Sequence, residues 1–96
     1  MIPQTRVTLW YYRGRAHLIA NQLDDAEKDF SAIVNSGYRR LFMPIEYVRS
    51  LYYLGQIAEK KGEPAKAREQ YAKFLGYWKD GDIDRDKVEE AIRKTR

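Results

Sequence analysis

The side chains able to do chemistry are few. His17 is the only imidazole and there is no cysteine, which excludes thiol nucleophiles, disulfides and thiolate zinc sites together with any His-rich metal centre. His17 sits at a packing position of a helical pattern, and no Ser-His-Asp arrangement follows from its spacing. It reads as a core or edge residue. The run Asp80-Gly81-Asp82-Ile83-Asp84-Arg85-Asp86 has the alternating carboxylates of a calcium loop. Arg85, however, stands at the sixth position, where the loop needs Gly, and Ala91 at the twelfth, where it needs a bidentate Glu. Helix capping is the better reading. No catalytic residue, metal ligand or cofactor is expected, and the expectation is a protein that performs no enzymatic step. What remains is recognition chemistry: 8 Tyr and many Arg, residues whose rigid area and bidentate guanidinium anchor interfaces.

Those side chains must be positioned by one domain, because 96 residues leave no room for a second. Hydrophobic residues at 44% with 6 Gly and 3 Pro describe a folded chain, not a disordered one. No run of about 18 apolar residues is present to span a bilayer, and the start lacks the apolar stretch of a signal peptide. A cytoplasmic location and no membrane partner are therefore expected. The net charge of +4 raises nucleic-acid binding as an alternative function, that of a basic helical protein. Its distribution argues against this, since acids interleave with bases in Glu59-Lys60-Lys61 and Lys66-Ala67-Arg68-Glu69, and runs of adjacent bases such as Arg39-Arg40 are short.

The chain repeats itself. Tyr11, Tyr12, Gly14 and Ala26 recur at Tyr52, Tyr53, Gly55 and Ala67, every pair 41 residues apart. Within each unit the apolar spacing is helical: Trp10, Gly14, His17 and Leu18 share one face, and Ala26, Phe30, Ile33 and Val34 another. Each unit is thus two helices in an antiparallel hairpin, broken at Asn21-Gln22-Leu23 and at Gly62-Glu63-Pro64. Gly62 suits a left-handed helix terminus and Pro64 a first helical turn. Gly14 and Gly55 fall mid-helix at a cost of about 1 kcal/mol each against Ala. Their shared register predicts a close approach of helices, with Ala26 and Ala67 facing them. Asn35-Ser36-Gly37 ends the second helix, Pro44 opens the third and Lys79-Asp80-Gly81-Asp82 breaks the fourth. A fifth helix begins near Asp84 or Asp86, whose carboxylates suit an N-cap. It carries Val88 and Ile92 as a thin apolar stripe and the pairs Glu89–Arg93 and Glu90–Lys94. It reads as a polar cap over the last repeat.

This pattern resembles the tetratricopeptide repeat (TPR), with Trp10 and Leu51 at the Trp site, Gly14 and Gly55 at the Gly site, Ala26 and Ala67 at the Ala site, and Phe30 and Tyr71 at the second aromatic. Arg13 replaces the first repeat's Leu, His17 and Ala58 replace the Tyr, and the period is seven residues longer than the family's. Residues 71–84 are also similar to the repeat tails of bacterial multidomain signalling proteins. The resemblance implies an all-α fold, two hairpins and a C-terminal capping helix in a right-handed superhelical stack. Repeat one covers about residues 5–37, a connection 38–43, repeat two about 44–79 and the cap about 84–95. It further implies a scaffold whose concave groove binds a partner peptide or protein, with Thr8, Tyr11, Arg15 and Leu18 facing the groove from the first repeat and Arg49, Tyr52, Gln56 and Glu59 from the second. The candidate contact residues are Tyr11, Arg15, Arg49, Tyr52 and Gln56. A second reading of Tyr11 and Tyr52 is that they pack between adjacent hairpins. The Asn and Lys of the family's carboxylate clamp are not supplied, which argues against chaperone-tail recognition.

Leu41-Phe42-Met43 is apolar within the connection and either folds onto the helix ends or forms a self-association patch. Two repeats fall short of the three that usually bury a continuous core, so either a homodimer or a set of repeats upstream of these in a longer protein is a further expectation.

Overall fold

The three prolines of the chain each open a helix, as suits a residue whose missing N–H costs nothing in a first turn. The computed structural model describes residues 3–35, 44–78 and 84–95. These form α1 (Pro3–Ile19), α2 (Leu23–Val34), α3 (Pro44–Lys60), α4 (Pro64–Trp78) and α5 (Arg85–Thr95). Among the described residues there is no strand, and no helix is long and apolar enough to cross a membrane. The protein is all-α. Arg39-Arg40, Leu41-Phe42-Met43 and the segment Lys79-Asp80-Gly81-Asp82-Ile83 lie outside the described residues.

The two hairpin turns are built alike. Asn21 and Gly62, 41 residues apart, are both left-handed, with φ of 62° and 76°. In the first turn Asn21 N–H donates to the Leu18 carbonyl and Gln22 N–H to that of His17; in the second Gly62 N–H donates to Glu59 and Glu63 N–H to Ala58. This pair of bonds satisfies carbonyls a helix end would leave bare, and it reverses the chain within two residues.

Each helix packs against the next in sequence, and α1 also touches α3. The ion pairs fix the directions. Lys61, just past the end of α3, reaches Asp24 and Glu27 at the start of α2, so α2 and α3 are antiparallel. Arg49, Tyr52 and Glu59 of α3 meet Asp84, Glu90 and Lys94 in that order. Helices α1, α3 and α5 therefore run one way, and α2 and α4 the other.

The core lies between these two sets. One cluster holds Tyr11, Ala26, Phe30, Ile33, Leu54 and Ile57; the other centres on Leu51, Tyr52, Tyr71, Phe74 and Val88. Stacked Phe30 and Tyr53, with centroids 5.1 Å apart, bridge the hairpins, and Tyr52 carries the ring contacts on to Tyr71 and Phe74. Glycine is required at both mid-helix positions, though the partners differ from those expected. A Cβ on Gly14 would meet the Phe30 ring at 3.0 Å and one on Gly55 the Tyr71 ring at 2.7 Å. The aromatic ring, not Ala26 or Ala67, fills the space the glycine leaves.

Helix α5 covers the second hairpin with Val88 and Ala91 buried. Its Glu90–Lys94 pair forms at 3.0 Å. Asp84, in a left-handed conformation with φ of 54°, accepts a hydrogen bond from Val88 N–H through its carbonyl. Asp84 thus stands at the N-cap position, and its carboxylate takes both guanidinium contacts from Arg49, at 2.8 and 3.2 Å, which ties the start of α5 to α3.

Candidate partner-binding groove

The five candidate contact residues occupy α1 and α3, and the structure separates them. Arg15 and Gln56 line an open cavity of about 390 Å³ between the two helices, together with Leu18, Ile19, Tyr53 and Lys60. The cavity wall holds two cations, an amide and apolar area, and no acid. The Arg15 guanidinium lies 5.9 Å from the ring centres of both Tyr11 and Tyr53, a cation–π arrangement that holds it at the cavity edge.

Tyr11 and Tyr52 lie beneath this surface, 3% and 4% exposed. Tyr11 packs on Phe30 and Tyr53. The Tyr52 hydroxyl donates to Glu90 at 2.6 Å and accepts from Gln56 Nε2 at 3.0 Å. Burial, first, and then neighbouring groups push both phenols above their ordinary range: Tyr53 acts on Tyr11, and Glu90 on Tyr52. Both tyrosines stay neutral at any physiological pH. Arg49 is held by Asp84, and that pairing raises its pKa further. Of the five, then, two face the open cavity and three join hairpins to each other or to α5. Of the wider set, Leu18 lines the cavity, and Glu59 accepts from the Tyr71 hydroxyl and from Lys94, each at 2.6 Å.

Three residues of the cavity were not singled out by sequence reasoning. Lys60 is one helical turn beyond Gln56, which is a usable signal. Tyr53 repeats Tyr12 at the 41-residue offset, but nothing in the repeat tells which of Tyr52 and Tyr53 faces solvent. Ile19 looks like an ordinary core residue until its 83% exposure is seen.

His17 is half-buried at the turn, its Nδ1 2.6 Å from Gln22 Oε1 and its Nε2 3.7 Å from Asp29. Asp29, buried at 4% exposure, takes a two-pronged contact from Arg13 at 2.7–3.1 Å. Arg13 at the repeat's Leu site is thus explained by an acid on α2. Among the described residues no group of three His, Cys, Asp or Glu is placed to hold a metal ion.

The carboxylates between helices set a pH limit. Burial pushes Glu90 up, but the Tyr52 hydroxyl and the Lys94 ammonium outweigh it and hold the group below the usual carboxylate value. Hydrogen bonds from Lys61 likewise depress Asp24 and Glu27. Acids depressed in the folded state contribute stability that is complete above the unfolded pKa and is lost as pH falls through the folded one. The thermal midpoint is therefore expected to hold level from neutrality down to about pH 5 and to fall below about pH 4. Glu90→Gln should flatten part of that fall. Melts followed by circular dichroism test this, and a midpoint unchanged down to about pH 2.5 contradicts it.

Compared with known proteins, the chain matches no protein-family model, no curated protein and no solved structure. No relative's activity transfers to it.

Proposed function

We propose that the chain is a TPR-like interaction module without catalysis, whose α1/α3 groove receives a segment of a partner protein. The observation that carries this reading is the cavity between parallel helices, lined by Arg15, Lys60 and Gln56 over an apolar floor of Leu18 and Tyr53, with no acid in its wall. Such a surface attracts carboxylates and covers an apolar side chain without any chemical step. The partner segment is accordingly acidic with an apolar anchor. The 41-residue repeat and the paired turns support the family likeness. Preformed walls favour binding, since Arg15 is already seated on Tyr11 and Tyr53 and little ordering remains for the partner to induce.

The test uses a random peptide library displayed on phage. Enriched sequences should carry Asp or Glu near a Leu, Phe or Met. The double variant Arg15→Glu/Lys60→Glu should weaken binding of an enriched peptide by at least about 30-fold, with unchanged helical signal because both side chains are exposed. Absence of enrichment, or full binding by the double variant, overturns the groove. Steep loss of binding to single-stranded DNA with salt would instead favour the basic nucleic-acid reading.

A further inference from the structure

The chain contains its own control for what a docked helix face looks like. In α3 the side turned away from Gly55 carries Ser50, Tyr53, Ile57 and Lys60. That side docks on the first hairpin: Ser50 and Ile57 are 0% and 1% exposed, and Tyr53 stacks on Phe30. The same positions 41 residues earlier are Leu9, Tyr12, Ala16 and Ile19, on the side of α1 turned away from Gly14. Among the described residues no helix covers these positions, and Leu9, Tyr12 and Ile19 are 56%, 58% and 83% exposed. Three of the five exposed large hydrophobic residues among the described ones thus lie on one stripe of one helix.

We propose that this stripe of α1 is a homodimer interface in which α1 of a second copy packs antiparallel across a two-fold axis level with Gly14. Three observations select this occupant. The spacing is self-complementary, because Leu9 and Ile19 stand five residues on either side of Gly14, and Tyr12 and Ala16 two. At about 100° per residue all four fall within about 40° of the line opposite Gly14. An antiparallel copy sets Leu9 against Ile19 and the large Tyr12 against the small Ala16, twice over, as an isologous contact requires. Next, the ends of the stripe differ from those of the hairpin-docking helix. Where α3 has Ser50 and Lys60, α1 has Leu9 and Ile19, so α1 extends its apolar contact beyond what docking on a hairpin uses. Finally, the opposite end of the molecule is no match for it. The outer side of α5 exposes Asp86, Glu89 and Arg93, and a head-to-tail stack would seat Leu9, Tyr12 and Ile19 on charges.

The arginines that flank the stripe do not oppose the contact. Arg13 is turned to Asp29 and Arg15 lies over Tyr11 and Tyr53. Ile19 borders both the stripe and the groove, so the two copies' grooves open beside the shared interface.

Sedimentation velocity of the whole chain from about 5 to about 200 µM reads the equilibrium. The expected species is twice the 11.4 kDa chain mass. Tyr12→Glu/Ile19→Glu is expected to raise the dissociation constant at least about 30-fold. Its thermal midpoint should be no lower than that of a dilute wild-type monomer, since both side chains are exposed. Register is read by disulfide trapping, which the absence of native cysteine makes clean. Under air oxidation a Tyr12→Cys chain mixed with an Ala16→Cys chain should cross-link, and a Tyr12→Cys chain mixed with a Glu89→Cys chain should not. A monomer at the highest concentration overturns the proposal, as does a dimer that survives Tyr12→Glu/Ile19→Glu. Trapping of Tyr12→Cys by Glu89→Cys overturns it in favour of a head-to-tail stack.

Discussion

Gly55→Ala is expected to destabilise the protein by about 2 kcal/mol, although alanine is the better helix former by about 1 kcal/mol. The added methyl would sit 2.7–2.9 Å from three carbons of the Tyr71 ring, closer than real carbon contacts allow. The ring has nowhere to go. It is wholly buried, and its hydroxyl is held by Glu59 at 2.6 Å, so overpacking is relieved only by moving α3 away from α4. For a domain of this size the thermal midpoint should drop by roughly 8–16 °C. Gly14→Ala makes a useful comparison. Its methyl would meet Phe30 at 3.0–3.1 Å, and Phe30 has no hydroxyl to anchor it, so a smaller loss is expected. A midpoint that rises in Gly55→Ala, as helix propensity alone demands, would refute the close-approach account.

The second large effect concerns Tyr52 and Arg49. As groove positions implied by the family resemblance, they invite the expectation that alanine there abolishes partner binding and leaves the fold intact. The structure gives a different expectation. Tyr52 is buried among Tyr53, Tyr71 and Phe74, and truncating a buried aromatic residue costs about 3–5 kcal/mol. Its hydroxyl also holds Glu90 on α5, and Arg49 holds Asp84 just before it. Arg49→Ala/Tyr52→Ala should therefore release α5, at a cost comparable to the roughly 5–15 kcal/mol that holds a whole domain together. Hydrogen exchange reports this directly: amides of residues 88–95 should lose protection first. Protection equal to that of the wild type would mean that α5 is held by Val88 and Ala91 alone. A loss of peptide capture by this variant says nothing about the groove, which is why Arg15 and Lys60 carry that test.

Much of this architecture was legible in residue order. The 41-residue register, the helix-opening Pro44 and Pro64 and the left-handed Gly62 were read from residue order, and the structure contains each where the sequence places it. Local features are legible because helix periodicity and turn chemistry involve neighbours within about five residues. The mid-helix glycines announced a close approach, but the aromatic partner did not show, since Ala26 and Phe30 share a face of α2 and spacing does not rank them.

Which tyrosines are buried was decided only by tertiary structure. Tyr11, Tyr12, Tyr52 and Tyr53 are alike in the sequence, yet Tyr12 is 58% exposed and Tyr11 3%. The difference lies in what comes next in space: the second hairpin covers Tyr11, α5 covers Tyr52, and no described helix covers Tyr12. The Arg49–Asp84 link likewise spans 35 residues, and no local rule selects that acid over Asp86. Sequence alone determined the helices, their turns and their repeat, because those are set within a few residues. Burial, the long-range ion pairs and the cavity at Arg15, Gln56 and Lys60 arise only when α1, α3 and α5 lie side by side, since each depends on the surface that a distant helix presents.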